Sequence, residues 1–312
     1  EIGQEKSCPI FFFFLNKFTF TYLIFVYALF AIFTLNGEIS MQSQIIGSII
    51  LISLFGIPHG AIDNIIYLSS NKITRFRFYL IYIVTIIIYC LFWWITPVIS
   101  LVFFLFLSSY HFGESQLVDY SFVNKKRIIY LIWGFALLST LIFYNNNELL
   151  LLSNQFIDTE NFSLVFNVSI FKYIFYFSNL IIISLLFFEN YKSSISNQQL
   201  MNEIFLLILI HITFYLFPII ISFTLYFIFL HSIKVLKQEF DYLKSLQSDL
   251  NLLSFIKLLY PHTLLSILFL VIFLLLMNFG FIDISVFLFS IIGISVITLP
   301  HAIIMTNFYN KK

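Results

Sequence analysis

An all-α, polytopic membrane helix bundle is the fold this sequence predicts, and three observations predict it. Of 312 residues, 61% are hydrophobic and 10% charged, whereas a soluble domain carries about 25% charged residues. Apolar runs near the length that crosses a bilayer, about 20 residues, recur along the whole chain. The lysines and arginines collect in every second connecting segment, as membrane topology requires. The chain reads as a single transmembrane domain over 1–312. A net charge of +1 implies no nucleic acid and no acidic partner; the partner that the composition does imply is the lipid bilayer. Cys8 and Cys90 lie in different settings and form neither a disulfide framework nor a metal spacing.

Taken in order, the spans are expected at 18–36, 44–68, 78–96, 98–113, 128–145, 171–188, 202–217, 219–237, 262–282 and 284–306. Pro97, Pro218 and Phe279-Gly280 mark tight turns between them, since Pro cannot continue a helix and Gly relaxes the backbone. The fourth and seventh are short enough to be half-spans. The stretch "KQEFDYLKSLQSDLNLLSFIKL", within a segment 238–261 that separates the eighth and ninth spans, alternates charged and apolar residues at helical spacing. It predicts one amphipathic helix on the membrane surface. Residues 1–17 contain Glu1, Glu5 and Lys6 and no small-residue cleavage site, so no signal peptide is expected. The chain opens on Glu1, so further native residues are expected before it.

The charges test this count. With ten spans, every Lys and Arg of the 16 except Lys172 falls on or near the N-terminal side. That asymmetry makes this side, with both termini, cytoplasmic. One span more or fewer would scramble the parity.

Four histidines fall in even-numbered spans, each past the span's middle: His59 in the second, His111 in the fourth, His231 in the eighth and His301 in the tenth. These spans all run toward the Lys-rich side, so the four imidazoles are expected at one depth. A single intramembrane His is most simply a helix–helix hydrogen bond, and His211 in the seventh span reads that way. His262, beside Pro261 at the expected start of the ninth span, is a reserve candidate. Four at one level point jointly to a metal site. In "GIPHGAIDN", Asp63 is four residues from His59, one helical turn on, and Pro58 with Gly56 and Gly60 breaks the helix. Irregular backbone at membrane depth is tolerated only against protein or a cavity. In "YHFGES", Glu114 follows His111 by three residues, and in "LPHAII" Pro300 precedes His301. Asp63 and Glu114 are expected to orient imidazoles or to occupy a coordination position, because ionisable groups inside a membrane are functional candidates by default. Neutral imidazoles without thiolates suit Fe, Zn, Cu or Ni. A site in the membrane implies a membrane-soluble substrate.

The ordered blocks "GIPHGAIDN", "YHFGES", "FPIIISFTLYFIFLHSIKVL" and "LPHAII" resemble those of the Brp/Blh family of beta-carotene 15,15'-dioxygenases, over about residues 45–306. The resemblance implies O2-dependent cleavage of the central double bond of beta-carotene to retinal, with Fe2+ held by histidines. It also implies a Phe-lined tunnel for the polyene and a retinal acceptor such as a rhodopsin. By resemblance His59, His111 and His231 are iron ligands. The chain departs from the family at Asn64 and at Val235, where the family has histidines, and Lys234 stands for an Arg. Valine cannot bind a metal. The alternatives are a three-His site, one completed by His301, or one using Asp63 or Glu114; on the functional side they are an altered substrate or a non-catalytic member. Among other classes, a di-iron desaturase requires paired histidine boxes, and no two histidines here lie within four residues. A His/Asp transporter requires transport without bound metal, and a photoreceptor requires a lysine deep in the bundle.

Overall fold

The computed structural model describes residues 16–37, 39–122, 125–166 and 168–311. Most of the N-terminal segment, with Lys6 and Cys8, lies outside the described residues, as does Lys312. Ten helices among the described residues are long and apolar enough to cross a membrane, and no strand occurs among them. The class and the count are those expected from the sequence.

The first span is α1 (Lys17–Asn36). The second, Met41–Ser69, is a composite: α2 (Met41–Leu51), a π-helical turn (Ile52–Gly56), a 3-10 turn (Ile57–Gly60) and α3 (Asp63–Ser70). Pro58 explains the change of ladder, since it offers no N–H and crowds the carbonyl four residues back. Next come α4 (Arg75–Ile95), α5 (Pro97–Leu117) and α6 (Lys126–Tyr144). The loop expected over 146–170 folds into α7 (Asn146–Asn154) and a 3-10 segment (Ile157–Leu164). Then follow α8 (Val168–Tyr191), α9 (Asn197–Leu216), and a second composite of α10 (Ile219–Leu225), a π-helical turn (Tyr226–Ser232) and α11 (Ile233–Leu246). The chain ends with α12 (Leu252–Asn278) and α13 (Val286–Tyr309).

Side chains cap these helices as their sequences direct. Ser196 and Gln199 form a capping box on α9, while Thr74 and Ser285 cap α4 and α13. Acidic groups satisfy two further helix starts: Glu148 Oε2 accepts the Ile219 N–H at 2.9 Å, and Asp158 Oδ2 accepts the Ser285 N–H at 2.7 Å.

Three expectations need correction. The fourth and seventh spans are full length at 21 and 20 residues, Pro97–Leu117 and Asn197–Leu216. The expected surface helix over 238–261 is not one helix. Its first part continues the eighth span to Leu246, and its last part opens α12 at Leu252. The chain turns where Gln247–Asn251 supplies Ser, Asp and Asn, with Asn251 accepting from Ser254 N to cap α12. The ninth span therefore begins ten residues before His262, and Pro261 lies inside the helix.

The main core gathers α5, α6, α8 and α9 around the fully buried Trp133. Here α5 and α6 touch backbone to backbone. A Cβ on Gly113 would stand 1.8 Å from the Tyr130 carbonyl oxygen, and one on Gly134 would stand 1.7 Å from that of Ser109. Small residues permit such close crossings in membranes, and this one sets the height of His111. By contrast α12 buries only Phe255 and Leu259, and so lies at the periphery.

Candidate metal centre

His59, His111, His231 and His301 come from the 3-10 turn, α5, the second π-helical turn and α13, and all four are buried. Their rings stand in a closed circuit. Ring centroids are 5.2 Å apart for His59 and His231, 4.9 Å for His231 and His111, 5.1 Å for His111 and His301, and 4.8 Å for His301 and His59. The sequence brought these four to one depth; packing brings them to one point.

Local structure decides which nitrogen each ring presents. The break after Gly56 leaves its carbonyl outside the α-helical ladder, and His59 Nδ1 donates to it. His301 Nδ1 meets Asp63 Oδ1 at 2.9 Å. Ser115 Oγ gives its single hydrogen to the Phe112 carbonyl at 3.0 Å, so at 3.0 Å it accepts from His231 Nδ1. All three imidazoles thereby carry hydrogen on Nδ1 and keep the Nε2 lone pair. That is how a histidine is set as a metal ligand by the partner of its other nitrogen.

The inward nitrogens are orphans. Nε2 of His231 and His301 and both nitrogens of His111 are buried without a hydrogen-bond partner. Each such group costs about 1–3 kcal/mol, and shape alone does not repay four of them. A cation between the rings would satisfy one nitrogen of each ring and leave the second nitrogen of His111 unpaired. Ligand atoms of His59, His111 and His301 lie within 4.8 Å of one another. Imidazole–metal bonds are about 2 Å long at zinc, so these nitrogens could share one ion once the rings draw inward. His231 lies outside that three-residue set, its ring 4.9 Å from that of His111 and 5.2 Å from that of His59.

The two carboxylates stand elsewhere than expected. Asp63 bonds His301 rather than His59, because the turn through Ala61 and Ile62 restarts the helix at Asp63 and cancels the four-residue register. Tyr82 OH donates to its second oxygen at 3.4 Å. Glu114 has no hydrogen bond to His111. It accepts from Thr306 Oγ1 at 2.5 Å and from Tyr110 OH at 3.1 Å, which ties α5 to α13.

The departures from the family pattern also have places. Val235 is fully buried with Ile62, Ile66 and Met305 in an apolar cluster, and His301 takes a corner of the circuit. Asn64 Nδ2 donates to Tyr79 OH at 2.9 Å, and that hydroxyl also meets His262 Nε2 at 3.4 Å. Asn64 and His262 thus engage α4, apart from the four rings. His211 pairs with Asn179 Oδ1 at 3.0 Å inside the bundle, the structural role expected of it. Lys234 Nζ donates to the Gln116 carbonyl at 2.7 Å, and Glu203 Oε1 accepts from Gln116 Nε2 and Tyr120 OH, both at 2.7 Å. Burial, then the Glu203 charge, holds the Tyr120 phenol well above its ordinary pKa, so it remains a donor at any physiological pH.

Sequence reading missed Ser115, Tyr82, Glu203 and Glu239. Ser115 lies in a quoted block, but its partner is 116 residues away. Glu203 and Glu239 carried a usable signal, being ionisable residues in or beside a span.

No curated protein and no solved structure matches the chain. A family profile described as Beta-carotene 15,15'-dioxygenase matches residues 50–309, a range that holds all four imidazoles and everything bonded to them. The chain belongs to the beta-carotene 15,15'-dioxygenase family, with the carotene dioxygenase type of function that membership implies.

Proposed function

We propose that this chain cleaves beta-carotene, or a closely related carotenoid, at its central double bond with O2, giving retinal at a histidine-held Fe2+ within the membrane. The single observation that carries this reading is the closed circuit of four buried imidazoles, three of which hold nitrogens without a hydrogen-bond partner. His59, His111, His231 and His301 would hold the ion. Bound Fe2+ would supply the O2 chemistry suited to nitrogen-ligated iron with open positions.

The protein's part is to hold and to exclude. The Gly56 carbonyl, Asp63 and Ser115 keep three imidazoles in one tautomer and orientation. Asp63, on the first residue of α3, gains from the helix N-terminus while it does so. Phe227 stacks on His231 at 5.6 Å and meets His59 edge-on at 5.5 Å, and Phe223 stacks on Phe227 at 5.4 Å. This aromatic column gives an apolar polyene a surface fixed by shape, as a substrate without polar groups requires. Gly56 is part of that surface, since a Cβ there would stand 2.8 Å from the Phe227 ring. In the reaction the central C=C and the O=O bonds break, and each carbon leaves as an aldehyde with one oxygen atom. No reductant is consumed, so no electron-donating partner is needed. The product leaves into lipid, where an acceptor such as a rhodopsin would meet it. The charge asymmetry supports cytoplasmic termini, and the resemblance to bacterial and archaeal proteins supports a prokaryotic inner membrane.

The test is retinal yield in a carotene-accumulating host that expresses His59→Ala, His111→Ala, His231→Ala and His301→Ala, with iron measured on each purified protein. Loss of both retinal and iron is expected. Wild-type yield from the His59 and His111 variants would overturn the reading.

A further inference from the structure

Glu239 is fully buried, and neither of its carboxylate oxygens has a hydrogen-bond partner. No salt bridge among the described residues reaches it. Val235, one turn before it on α11, shares a buried cluster with Ile62, the residue that precedes Asp63. A buried carboxylate with neither hydrogen bond nor counter-charge marks the place of an ion or water. A proton would remove the charge but would turn one oxygen into a donor, which has no acceptor here either.

Its place in the fold says more. On α11, Glu239 lies eight residues beyond His231 and seven before the helix end at Leu246, or about 12 Å and about 10 Å along the axis. It shares a helical face with His231 and Val235. Asp63 is joined to the circuit itself, with Oδ1 on His301 Nδ1. A cation bound for the imidazoles cannot cross hydrocarbon from the side, which leaves the Lys-rich end of α11, where Glu239 stands between His231 and Leu246. Oxygen ligands followed by neutral imidazoles suit a divalent first-row metal.

We propose that Glu239 and Asp63 form a staging site that passes a divalent cation from the Lys-rich face to the four imidazoles. This rests on the metal-centre reading above. The experiment follows Co2+ uptake by the full-length apo protein in lipid nanodiscs, through the visible absorption of imidazole-bound Co2+. Glu239→Gln is expected to slow uptake at least tenfold and to reach the wild-type plateau. Glu189→Gln, which alters another buried acid on α8, is expected to load at the wild-type rate. Wild-type kinetics in Glu239→Gln, equal slowing in Glu189→Gln, or equal losses of rate and plateau would overturn the proposal. No uptake by the wild-type protein would overturn the imidazole reading itself. Should Glu239→Gln not fold, Glu239→Met gives the same comparison with a neutral side chain of similar volume.

Discussion

At the scale of single residues, the bond from Asp63 to His301 separates a ligand from the group that orients it. Asp63→Asn keeps the shape and removes the charge, and loss of such an orienting partner costs 10–100-fold in metal affinity or activity. Iron retention and retinal yield should each fall by about that factor, with the helical content of the purified protein unchanged. Ser115→Ala removes the acceptor for His231 Nδ1 and should act in the same direction on iron retention alone. Glu114→Gln serves as the contrast. Its oxygens serve Tyr110 and Thr306, so iron should stay bound while thermal stability drops. All four histidines were legible in the sequence. The partners of the carboxylates were not, because counting three or four residues along a helix assumes that the helix continues, and at Asp63 it restarts.

At the scale of elements, the breaks do the positioning. A Pro inside a helix costs about 3 kcal/mol relative to Ala, so Pro58→Ala should leave the second span as stable as before or more so. It should nevertheless lose iron, because an uninterrupted helix would carry His59 around its axis by about 100° per residue of register. Raised melting temperature together with reduced metal content, measured on one preparation, is the expected result. The crossing of α5 and α6 behaves in the opposite way. Gly134→Ala drives a Cβ into the Ser109 carbonyl, and overpacking of this kind costs about 1–3 kcal/mol. It should lower thermal stability and shift His111 together. Proline and glycine in "GIPHG" announced a break in the sequence. The π-helical turn over Tyr226–Ser232 did not announce itself, because that stretch contains neither Pro nor Gly. Its irregularity comes from the packing around His231.

At the scale of the whole molecule, the charge asymmetry fixes which ends of the spans share a side. A cysteine placed at the exposed Asn154, in a background without Cys8 and Cys90, should react in intact cells with a membrane-impermeant maleimide. One at the exposed Ser248 should react only after the cells are opened. The same labelling from both positions would reverse or break the topology. The peripheral place of α12 follows from composition as well: it is apolar all round and buries only two of its residues in the protein, the pattern of a helix whose other faces meet lipid.

The sequence by itself determined the membrane class and the ten spans, and it set the parity and the common depth expected of four imidazoles. Each follows from hydropathy, charge and position along a helix axis. Only the tertiary structure decided which rings face one another, which nitrogen each presents, that His301 takes a corner of the circuit while Val235 packs in apolar core, and that Glu239 is buried without a partner. The physical reason is rotational: hydropathy measures depth along a span, whereas coordination depends on the angle around its axis. That angle is set by helix breaks and by contacts between residues more than a hundred positions apart.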